Sequence, residues 1–129
     1  MVKYLSPEWV ELHRIEGQSL PERPGVTARL QHLITGTPDG ELAYSVVVVD
    51  GKVVDVAIGR DDDAADCTFL ESYDDAVRMV RGELDLHVGF MQGRIKMSGD
   101  MGRLMAVLDC TQSEPYRAAL ASISAATDL

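Results

Sequence analysis

Cysteine is nearly absent from the 129 residues: only Cys67 and Cys110 occur, far apart and outside any CxxC pair. A disulfide framework is therefore not expected, and both residues read as small buried hydrophobes. Positive charge is also scarce. Twelve Lys and Arg face 21 Asp and Glu, for a net charge of −9. This is not the basic footprint of a nucleic-acid binder, and it opposes docking on an anionic membrane. No apolar run approaches the roughly 18 residues that a membrane span needs, and Val46 to Val49 is strand-length. No stable membrane anchor is expected. The opening "MVKYLSPEW" lacks the apolar core and cleavage site of a signal peptide, so the expected location is cytoplasmic.

Signatures of chemistry are missing as well. His13, His32 and His87 form no i, i+4 metal pair, so no metal or other cofactor is expected. "DDDAAD" lacks the Gly and the terminal Glu of a calcium loop and reads as a solvated turn. "GDMG" is neither a phosphate loop nor a dinucleotide fingerprint, and no GxSxG elbow occurs. No catalytic constellation emerges, and the expectation is a protein that is not an enzyme. Apolar residues at 46% and charged ones at 26% instead give the balance of a soluble globular protein, and the length suits one domain over residues 1–129.

The chain reads as helix, then strands, then mostly helices. Ser6-Pro7 supplies an N-cap and a first-turn proline, after which Leu5, Trp9 and Leu12 share a face. Strand alternation follows. Ala28, Leu30, His32 and Ile34 point one way; so do Leu42, Tyr44, Val46 and Val48, and then Val54, Val56 and Ile58. "TPDG" and Asp50-Gly51 are turn signals, and "CTFLE" is a fourth short strand. Consecutive hairpins predict that these strands run antiparallel. Ser72 caps a helix that Gly82 stops, "ELDLHVGFMQ" is a short helix ending at Gly93, and "RIKMS" is a fifth strand with Ile95 and Met97 inward. Asp100 and Ser113 cap the last two helices. The expected class is α+β: a five-stranded, mainly antiparallel sheet covered on one face by helices.

Residues Phe90 to Leu108 hold four methionines among three glycines. Met101, Leu104, Met105 and Leu108 form one helical stripe near Phe90 and Met91. By composition the stripe is core packing or the wall of an apolar pocket. His32, on the apolar face between Leu30 and Ile34, is either a core histidine with a hydrogen-bond partner or a polar handle inside a pocket.

The stretch "ADCTFLESYDDAVRMVRGELDLHVGFMQGRIKMSGDMGRLM", Ala65 to Met105, resembles the sterol carrier protein family of lipid-transfer domains. The positions that carry the resemblance are Asp66, Gly82-Glu83, Phe90, Gln92-Gly93, the strand Arg94 to Met97, and Gly99-Asp100, with "LSPEW" and Asp50-Gly51 fitting upstream. The resemblance implies an apolar tunnel between sheet and helices that binds fatty acids, fatty acyl chains or sterols without changing them. Phe90, Met91, Gln92, Met101, Leu104, Met105, Leu108 and His32 are then the ligand-binding residues. The methionines form the helix-side wall, and Gln92 either meets a lipid head group or caps its own helix. The chain departs from the family in three places. Its charge of −9 opposes the basic character of eukaryotic members and weighs against acyl-CoA phosphate binding. "AATDL" is not a peroxisomal address. Gly89 stands where members often carry Ala, which loosens the helix before Phe90. Two other classes compete: a small α+β cone enzyme of the ketosteroid-isomerase kind built around His32 or an acid, and a ligand-free interaction module acting through a weak homodimer or a larger complex.

Overall fold

A computed structural model describes residues 1–129. Helix α1 (Pro7–Gln18) precedes strands β2 (Ala28–Thr37), β3 (Gly40–Val49), β4 (Lys52–Ile58) and β5 (Cys67–Ser72). Helices α2 (Tyr73–Val80) and α3 (Leu86–Met91), strand β6 (Lys96–Gly99), and helices α4 (Met101–Thr111) and α5 (Glu114–Ala125) follow. The two ends of the chain meet in a two-residue parallel pair, β1 (Val2–Lys3) with β7 (Thr127–Asp128).

The caps form as their side chains dictate. Ser6, Ser72, Asp100 and Ser113 each accept a hydrogen bond from the backbone N–H three residues on, which satisfies a donor that the first helical turn leaves free. Asp50-Gly51 turns with positive φ at both residues, the hairpin geometry matched to strand twist.

The five-stranded sheet has the order β4-β3-β2-β5-β6. Three of its four pairings are antiparallel, so the sheet is mainly antiparallel as expected. The fourth strand departs from the expected run of hairpins: β5 lies parallel to β2. The connection from β4 carries the chain across the sheet to the far side of β2. Gln31, buried on the face opposite the helices, anchors it: Gln31 Nε2 donates to Asp62 Oδ1 at 2.7 Å, and Gln31 Oε1 accepts from the Asp61 N–H at 2.7 Å. The acidic segment bridges the sheet around a short turn at residues 62–64, and its far end is held as well: the Asp66 N–H donates to the Arg29 carbonyl and the Arg29 N–H to Asp66 Oδ2, each at 2.8 Å.

A bulge overturns a second expectation. Val47 pairs with Asp55 and Val48 with Val53, which leaves Val54 as the extra residue. The shift reverses the facing of one position, so Val53 is buried and Val54 exposed. Ile58, at the strand's end, is also exposed.

The helices cover the face that carries Leu30, Tyr44, Val46, Val48, Val53 and Phe69. Two glycines permit close contact. A Cβ on Gly17 of α1 would lie 2.4 Å from the Val53 Cβ, and one on Gly89 of α3 would lie 2.6 Å from the Ile95 Cδ1. Gly89 therefore lets α3 sit close against the Ile95 side chain, beside its cost in helix propensity. Gly99 has φ +118°, and a Cβ there would lie 2.1 Å from the Asp66 carbonyl oxygen.

Candidate functional site

Sheet and helices do not close completely on one another. Between them lies a cavity of about 530 Å³, within the range of small-molecule sites. Most of its lining is hydrophobic. The sheet contributes the inward-facing residues of β2, β3, β4 and β5, while α1, α2, the start of α3 at Leu86, α4 and α5 supply the other wall. The exposed lining residues, Arg81 and Gly82 after α2 and Arg117 and Ala121 on α5, mark where it opens.

Polar side chains gather on one part of this wall. Strand period 2 puts Glu71 on the same face as Cys67 and Phe69, and the parallel register sets His32 beside Phe69. His32 Nδ1 and Glu71 Oε1 are hydrogen-bonded at 3.1 Å, and the Glu71 side chain is only 1% exposed. The imidazole stacks on Tyr44, with ring centroids 4.7 Å apart and planes 6° off parallel, and leans on Phe69 at 4.8 Å. Trp9 and His13, one helical turn apart on α1, close the cluster: Trp9 meets Tyr4 at 4.9 Å and Tyr44 at 5.3 Å, and His13 meets Trp9 at 5.1 Å.

Burial shapes the titration of this cluster. Desolvation, followed by the nearby His32, lowers the His13 imidazole to a pKa of about 4. His13 as a whole keeps some exposure, but its Nδ1 is buried without a partner, and the ring's surroundings set its proton affinity. Tyr4 and Tyr44 are pushed above the usual phenol range, chiefly by burial and then by neighbours that include Glu71. Tyr116 is raised to about 12 by burial, then by Asp85 and Glu71. Three buried polar atoms have no partner in the protein: Trp9 Nε1, His13 Nδ1 and Glu71 Oε2. All three belong to side chains that line the cavity.

Of the residues expected to bind ligand, His32 lines the cavity and combines both of its readings, a hydrogen-bonded histidine that is also a polar group in a pocket. The rest stand elsewhere. Leu104 and Leu108 are buried in the core, outside the lining. Met101 and Met105 are 51% and 49% exposed, and Met91 is 73% exposed. Phe90 is half-buried away from the cavity. Gln92 caps α3 through its backbone N–H, which donates to the Val88 carbonyl. The expected methionine wall is therefore not the wall of this cavity: α4 presents Val107, Cys110 and Thr111 to it instead. Sequence reasoning missed Glu71, Trp9 and His13 as lining residues. Two signals were available: an acid in phase with inward-facing Phe69, and an aromatic pair at i, i+4.

Comparisons with known proteins place this architecture. The model of the SCP-2 sterol transfer family matches residues 12–110, and the chain belongs to that family. Sterol carrier protein 2 of Gallus gallus is 35% identical over 83 residues, which are 64% of this chain. The match spans 15% of that relative's length. A crystal structure of sterol carrier protein 2 shares the fold with a TM-score of 0.73 at 11% identity, over 92% of this chain and 98% of the other. A solution structure of palmitated SCP2L2 from Aedes aegypti aligns with a TM-score of 0.65 at 20% identity, over 84% of this chain and 96% of the other. No helix of the chain is long and apolar enough to cross a membrane.

Proposed function

We propose that the chain is a non-catalytic carrier that holds a fatty acid, fatty acyl or sterol-like lipid in the cavity as a tunnel and transfers it in the cytoplasm. One observation carries the reading: a member of a sterol transfer family has an apolar cavity of about 530 Å³ between its two layers. The palmitated state of the Aedes aegypti neighbour supports an acyl chain as one such ligand. The unpaired thiols of Cys67 and Cys110 suit a reducing compartment. Energetics allow reversible carriage. Burying about 16 carbons at ~0.8 kcal/mol per CH₂ yields roughly 12 kcal/mol gross. Association and ordering consume a large share, and a micromolar carrier needs only about −8 kcal/mol net.

Ala119, half-buried on α5, lines the cavity and offers a place to plug it. Ala119→Phe should abolish displacement of a fluorescent fatty acid with little change in melting temperature. Unchanged displacement in that variant, or no binding by the unmodified chain, would refute the carrier reading. The buried His32–Glu71 pair favours a second reading, an enzyme that moves a proton on an enolisable lipid. Steroid isomerase turnover that disappears in His32→Ala would establish it over the carrier.

A further inference from the structure

A buried acid–histidine pair is an expensive way to build a core. Replacing such a pair by apolar residues of similar volume is commonly neutral or stabilising, so the fold alone gives little reason for Glu71 and His32 to face inward. Their position supplies a different reason. Both line the cavity, the imidazole is held between Tyr44 and Phe69, and the hydrogen bond to Nδ1 uses only one of the two Glu71 oxygens. The other, Oε2, is buried and has no donor in the protein. A buried carboxyl oxygen calls for a donor from water or ligand.

We propose that the His32–Glu71 pair receives the hydroxyl end of an uncharged lipid, which enters polar end first, and that it rejects lipids that would bring a carboxylate to the same place. The inference rests on the carrier reading and specifies the ligand class. A hydroxyl donates to Glu71 Oε2 and keeps its lone pairs for the donors of the surrounding cluster. A carboxylate has no proton to donate, and the hydrogen-bonded pair offers it no net positive charge, so its burial there would be uncompensated. Two arginines line the cavity, Arg81 and Arg117, both exposed where it opens and neither part of the His32–Glu71 cluster. A fatty acid therefore binds tail first, with its carboxylate at these arginines, and does not depend on Glu71. The two lipid classes lie in opposite directions in one cavity.

Calorimetric titration with 1-tetradecanol and with tetradecanoic acid separates the two ends. The unmodified chain is compared with the double variant His32→Phe/Glu71→Leu, which keeps the volume and the aromatic stack. Affinity for the alcohol should fall about 10-fold or more, the effect of one charge-assisted hydrogen bond, while affinity for the acid changes less than about 3-fold. Glu71→Gln, nearly isosteric, guards against misfolding of the double variant: it should weaken the alcohol and not the acid. Unchanged alcohol affinity, or equal loss for both ligands in the folded variants, overturns the assignment and leaves the carrier reading intact. Failure of the unmodified chain to bind either lipid overturns the carrier reading itself.

Discussion

Acid should loosen this protein through His13. Its imidazole is pressed against Trp9 and faces Tyr44, and burial lowers its pKa to about 4 from an unfolded value of 6.5. The unfolded chain therefore takes up a proton before the folded one does. Stability from this residue is complete above pH 6.5 and is lost as the pH falls from 6.5 towards 4. At pH 5 the unfolded imidazole is almost fully charged and the folded one almost fully neutral. From pH 8 to pH 5 the loss is roughly 2 kcal/mol, rising to about 3 kcal/mol below pH 4. Urea unfolding at pH 8 and pH 5 measures it, with His13→Phe as the reference because that variant keeps a ring in place and cannot titrate. Carboxyl groups common to both proteins cancel in the comparison. The unmodified chain should lose about 2 kcal/mol more than the variant over this interval. Parallel pH profiles for the two proteins would refute the claim that His13 is held neutral by burial.

Three further outcomes test the packing. Leu104→Ala, at a fully buried position, should cost about 2–5 kcal/mol by thermal melting, whereas Met105→Ala, half exposed on the same stripe, should cost under about 1 kcal/mol; equal costs would contradict the core assignment. Gly99→Ala combines backbone strain with a clash against the Asp66 carbonyl and should lower stability by about 3 kcal/mol or more; a neutral effect would mean that β5 and β6 do not approach as described. Gln31→Met removes the two hydrogen bonds that hold Asp61 and Asp62 in the β4–β5 connection; it should speed proteolytic cleavage around these residues, and an unchanged cleavage rate would show that Gln31 does not hold the segment.

Much of the fold was legible because local chemistry and global architecture agree. Ser6, Ser72, Asp100 and Ser113 cap helices in the sequence and in the structure, and Asp50-Gly51 makes its hairpin. The parallel pairing of β5 with β2 was not legible, because a polar segment such as "RDDDAAD" serves equally as a turn or as a bridge across a sheet. The contacts with Gln31 and Arg29, both distant in sequence, separate the two. The bulge at Val54 was hidden for a similar reason: alternation fixes facing only while the register is unbroken. The site was the least legible part. Helical periodicity marks an apolar stripe but not what it faces, and α4 turns Leu104 and Leu108 to the core, leaves Met101 and Met105 to solvent, and gives Val107 and Thr111 to the cavity. His32 was visible as a polar residue in an apolar row and Glu71 as an acid in phase with Phe69, but their pairing required the β2–β5 register to be known.

Whether the cavity carries a lipid is decided by native mass spectrometry of the chain purified from cells without detergent, followed by organic extraction. A carrier should give a species heavier than the bare chain by one lipid per molecule, with that lipid recovered in the extract and exchanged by added long-chain alcohol or fatty acid. A single species at the mass of the bare chain that takes up neither added lipid would contradict the carrier reading.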